Sequence, residues 1–95
     1  MVITILEAHV KETNWTALQN DFNTRTAELP PQMIRTYLLQ DTADPTFWRI
    51  VSVWKSREAL NEMRNSGETP AGVVMFQNVG AEPKLSIFNV PAFAP

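Results

Sequence analysis

The chain of 95 residues is predicted to be one α+β domain with the element order β-α-β-β-α-β. β-branched and aromatic runs of strand length occupy residues 2–10, 32–40, 46–55 and 84–90. Between the first two runs, and again between the last two, apolar residues recur at helical spacing. Pro, Gly and Asp punctuate the junctions, where the chain must reverse or a helix must stop.

Residues 2–10 (VITILEAHV) carry apolar side chains at both parities, so this strand is expected to be covered on both faces. Thr13-Asn14 is the expected cap of the first helix. On a helical wheel Trp15, Leu18, Phe22 and Leu29 share one arc, and Pro30-Pro31 ends the element. Residues 32–40 (QMIRTYLLQ) and 46–55 (TFWRIVSVWK) make a hairpin around the Asp41–Pro45 turn. In the second of these, Trp48, Ile50, Ser52 and Trp54 share one parity, and Phe47, Arg49, Val51 and Val53 the other. Ser56 caps a helix to about Asn65, with Ala59, Leu60 and Met63 on one side. Ser66-Gly67 interrupts it, and Thr69-Pro70 restarts it with Thr69 as cap and Pro70 as first helical residue. Gly80 is the expected stop. Residues 84–90 (KLSIFNV) form the last strand, and 91–95 an irregular tail.

This order is the split, ferredoxin-like plan: a four-stranded antiparallel sheet with helices on one face. The other apolar face of strands one and three is left bare. With 44% hydrophobic residues and no chain to spare, the simplest cover is a second copy of the same sheet, so a homodimer is expected.

Composition excludes several function classes. Eight Lys and Arg against ten Asp and Glu, without a basic stripe, argue against nucleic-acid binding. An RNA-recognition domain shares the element order, but the glycines flanking its strand aromatics are absent here. One His and no Cys leave no basis for a zinc or iron–sulfur site. No Gly-rich phosphate loop is present. No apolar run reaches a membrane span, and the N-terminus lacks a signal-peptide pattern, so a cytoplasmic location is expected.

Asp44-Pro45, then Ile50–Ser56 containing Trp54-Lys55-Ser56, then Glu58-Ala59-Leu60, resembles the "strand, Trp-x-Ser, x-Glu-Ala-Leu" pattern of the antibiotic biosynthesis monooxygenase (ABM) superfamily. The interrupted helix and the step from Gly80 to Lys84 fit it too, so the resemblance spans roughly residues 2–90 of a single domain over 1–95. It implies a dimeric α+β barrel with a pocket between sheet and helices in each subunit. Members include cofactor-independent oxygenases, quinol monooxygenases and heme-degrading monooxygenases. Heme degraders place a Trp seven residues after the Ser and a His about ten beyond that. Here those positions hold Met63 and fall near Val73, so no heme and no other cofactor is expected.

Within that frame two residues are candidates for polar chemistry. His9 is the one side chain whose ordinary pKa lies near neutrality, suited to a general base; a strand-end His in solvent is the plainer reading. Asn78 falls on the apolar arc of the last helix, where it orients a substrate or caps local backbone. Tyr37, Trp54, Met63, Met75 and Phe76 are candidate pocket walls; the alternative is core packing for Met63, Met75 and Phe76, the core or the dimer contact for Trp54, and for Tyr37, which shares a parity with Arg35, an edge-strand surface, the plainer reading. Two functions follow: a cofactor-independent monooxygenase of a planar aromatic or quinol, or a non-catalytic dimeric binding protein of the same fold.

Overall fold

A computed structural model describes residues 1–95. Four strands, β1 (Val2–His9), β2 (Met33–Gln40), β3 (Phe47–Trp54) and β4 (Lys84–Asn89), form one antiparallel sheet in the order β2-β3-β1-β4. Helices α1 (Trp15–Arg25), α2 (Arg57–Arg64) and α3 (Ala71–Asn78) lie on one side of it, and a 3-10 turn at Glu12–Asn14 leads into α1. This is the ferredoxin-like arrangement expected from the sequence. The strongest strand, β3, sits in the interior beside β1, as its two-sided apolarity requires.

Strict alternation along β3 sets the two faces. Trp48, Ile50, Ser52 and Trp54 are buried under the helices, while Phe47, Arg49, Val51 and Val53 point to the open side. Register carries this alternation across the sheet. Thr4 pairs with Ser52 and Ile87 on the helix side; Ile3 pairs with Val53 and Phe88 on the open side. The open side is largely apolar, with Ile3, Ile5, Val51 and Val53 at its centre and Tyr37, Leu39 and Phe88 exposed around them. Arg49 crosses it to Glu7 and Asp41, each at 3.1 Å.

Three local expectations are revised by the structure. The first helix ends at Arg25, short of Leu29: the Thr26 hydroxyl donates to the Phe22 carbonyl at 2.7 Å, and residues preceding Pro30 and Pro31 are driven out of the helical region. Asn14 does not cap its own helix; its side-chain N–H donates across the domain to the Val79 carbonyl at 3.3 Å. The last helix starts one residue later than expected, with extended Pro70 as its N-cap and no side-chain cap. Ser56 does cap α2, accepting from the Ala59 N–H at 3.0 Å, and Gly80 terminates α3 at φ +74°.

The core is in two pieces. The larger joins Leu18, Trp48, Ile50, Met75 and Phe76 with Ala8, Val10 and Ala81. The smaller is Val2, Trp54 and Leu60. α1 and α3 pack together over one end of the sheet and α2 over the other, so the two clusters are not continuous. The gap between them is where the cavity lies.

Candidate functional site

Beneath α2 and the start of α3 the sheet floor carries Thr4, Leu6, Ile50, Ser52 and Trp54. Leu60 and Met63 of α2, Ala71–Val73 and Met75 of α3, and Leu29 and Pro30 after α1 close the sides. The space between them is about 150 Å³, enough for one aromatic ring. Both core clusters supply its walls. Gly72 lets α3 come close to the sheet beside the cavity: a Cβ there would lie 2.7 Å from Leu6 Cδ1.

The floor has a small polar strip. The Trp54 indole N–H donates to Thr4 Oγ1 at 2.9 Å, and the hydroxyls of Thr36 and Ser52 are hydrogen-bonded at 3.0 Å. Trp54 is only 3% exposed, so the indole is pinned by its bond and held by packing. Each hydroxyl retains a free lone pair that an incoming O–H group can use. At the opening stand Arg25 and Arg64, the last residues of α1 and α2. No Asp, Glu, His or Lys lines the cavity.

Of the pocket residues expected from the sequence, Trp54, Met63 and Met75 line this cavity. Phe76 does not; it is fully buried in the larger cluster, one helical step away from Met75. Tyr37 does not either. It pairs with Val51 and therefore stands on the open face of the sheet, where Arg35 donates to its hydroxyl at 3.3 Å. His9 and Asn78 also lie outside the cavity, yet near one another, on a shallow depression with Asn14, Thr46 and Gly80. His9 has the open-face parity of β1, stacks on Phe47 with ring centroids 4.8 Å apart, and lies 3.2 Å from Thr46 Oγ1. The Asn78 amide donates to Asp21 at 3.3 Å. Sequence reasoning overlooked Thr4, Ser52 and Gly72. Thr4 and Ser52 share parity with Trp54 across paired strands, a signal that becomes readable only once the register is known.

The model of the antibiotic biosynthesis monooxygenase family matches residues 1–73, most of the chain. The chain belongs to this family. No curated protein matches it significantly in sequence. Among solved structures, this ABM chain is similar to SnoaB, a cofactor-independent oxygenase from Streptomyces nogalater, with a TM-score of 0.75 at 15% identity, covering 99% of this chain and 96% of that one. It is similar to MhuD, a heme-degrader from Mycobacterium tuberculosis with two hemes bound in its active site: TM-score 0.74, 21% identity, 100% of both chains. A Deinococcus radiodurans protein named for the same family superposes with a TM-score of 0.78 at 10% identity, over 100% and 97% of the two chains. At these identities the likeness establishes the ABM fold alone.

Heme does not fit this ABM cavity. No His, Cys or Tyr lines it to hold an iron axially. No group of three or more His, Cys, Asp or Glu is arranged to hold a metal ion, and no helix is long and apolar enough to cross a membrane.

Proposed function

We propose that this ABM protein binds a planar, largely apolar, electron-rich aromatic of the quinol type in the cavity between sheet and helices, and oxygenates it without a bound cofactor. One observation carries the reading: a largely apolar cavity floored by the pinned indole of Trp54, with hydroxyls of Thr4 and Ser52 beside it. Apolar contact supplies affinity there and the hydroxyls orient a phenolic O–H. In such chemistry the substrate itself gives the electrons. One oxygen atom of O2 enters the ring and the other leaves as water.

The working unit we propose is a homodimer joined through the open sheet face. Its apolar centre, Ile3, Ile5, Val51 and Val53, supports this.

A non-catalytic binding protein is the second reading. It is favoured by the absence of any carboxylate, His or Lys in the cavity wall, which leaves no general base there. Oxygen uptake and quenching of Trp fluorescence, measured together on a panel of hydroquinones and anthrones, separate the two. Quenching with oxygen consumption above autoxidation supports the oxygenase. Saturable quenching without uptake supports the binding protein. No quenching by any planar aromatic would overturn both. Single-ring compounds are expected to bind first, because the cavity must open to admit a tricycle.

A further inference from the structure

We infer that the ligand of this cavity is an aromatic carboxylate, its ring inside and its anionic group held at the opening by Arg25 and Arg64. The inference rests on the cavity being the ligand site proposed above, and it names the ligand class more closely.

Charge distribution is the first ground. The chain is acidic, with ten carboxylates against eight cations, yet none of the ten lines the cavity while two arginines do. The lining therefore carries two cations and no carboxylate, and of the two only Arg25 has an acidic partner, Asp21 beside it. The available donors are the second ground. Arg64, an exposed residue of the cavity lining, makes no ion pair and no side-chain hydrogen bond, so its guanidinium fork is unclaimed. Arg25 uses its Nε–H on Asp21 at 2.7 Å, which steadies the side chain and leaves its terminal N–H groups unpaired. A planar fork matches a carboxylate in two parallel hydrogen bonds, which a flexible ammonium does not. The third ground is the division of the cavity. Apart from the arginines and the hydroxyl strip the lining is largely apolar, so it can satisfy a charge only beside Arg25 and Arg64 and favours a ring elsewhere.

Both arginines also end helices, where a cation complements the helix dipole. That role would stabilise the fold without selecting a ligand, and the experiment separates the two.

The full-length chain is titrated calorimetrically, without oxygen, against 2,5-dihydroxybenzoate and against its methyl ester, which keeps the ring and removes the charge. The acid is expected to bind about tenfold tighter than the ester, a preference that falls as salt is raised. Arg64→Gln and Arg25→Gln are expected to erase most of that preference, lowering acid affinity far more than ester affinity, and Arg64→Lys to retain only part of it. Equal affinity for acid and ester overturns the inference and leaves the aromatic pocket standing. A preference for the acid that survives both Gln variants also overturns it. Failure of both compounds to bind removes the pocket reading itself, and the inference with it.

Discussion

Trp54 illustrates how one side chain joins packing to chemistry. Its indole fills the smaller core cluster, and its N–H is satisfied only by the Thr4 hydroxyl across the sheet. Thr4→Val keeps the volume but orphans a buried donor, so a loss of about 1–3 kcal/mol is expected in urea denaturation. Gly72 poses the opposite case. Gly72→Ala favours the helix by about 1 kcal/mol. Its Cβ, however, pushes the end of Leu6, a flexible side chain on the cavity wall. Overall stability is therefore expected to change by less than about 1 kcal/mol, while affinity for single-ring ligands falls. A calorimetric melt and a fluorescence titration of the same variant check both halves. Unchanged affinity would place the ligand elsewhere.

At the scale of elements, the Asp41–Pro45 turn and the α2–α3 connection behave differently. The turn is tightly bonded. Asp41 accepts from the backbone N–H groups of Asp44 and Ala43 and from Arg49, and Asp44 accepts from both the hydroxyl and the N–H of Thr46. These bonds favour the ionised forms and hold both carboxyls below the usual carboxylate range: for Asp41 chiefly the Asp44 N–H, for Asp44 chiefly the Thr46 hydroxyl. Groups depressed on folding stabilise above their ordinary pKa and lose that contribution as pH falls through the folded value. Asp44→Asn is therefore expected to be less stable than the parent at neutral pH, with the gap closing below about pH 4. Thermal melts across that range test it. By contrast, residues 65–69 between α2 and α3 are exposed, with Gly67 at φ +83°, and α3 is only eight residues long with no side-chain cap. Its stability comes from packing. Hydrogen exchange is expected to open the N-terminal turn of α3 before β3, which would widen the cavity for larger rings. Equal protection of α3 and β3 would count against such a lid.

The whole molecule shows one covered sheet face and one bare one. Ile3, Ile5, Val51 and Val53 form a contiguous apolar centre that helices do not reach, and Tyr37, Leu39 and Phe88 extend it, each more than 40% exposed. A patch of this kind on a small domain is an interface signature. Light scattering at micromolar concentration is expected to give twice the mass of 10.8 kDa. Val53→Lys, at the centre of the patch, should convert the dimer to monomer. A monomeric parent chain would remove the sheet-to-sheet dimer.

Periodicity along the chain was enough to determine the element order, the antiparallel plan and the two faces of β3. Alternation and helical spacing are local properties of consecutive residues, and a side chain's face follows from them directly. The Ser56 cap and the Gly80 stop were legible for the same reason: each acts within one turn of backbone. The site was legible only in part. Trp54, Met63 and Met75 announced themselves by size and position. Tyr37 and His9, for which an exposed strand position is already the plainer reading, stand on the other face; a functional residue type carries no information about which side of a sheet bounds a cavity. The cavity itself arises from two core clusters that fail to merge, and its polar strip from Thr4, Ser52 and Thr36 meeting across three strands. Those meetings depend on strand register and on where helices cross the sheet. Both are long-range consequences of packing, so only the tertiary structure decided them.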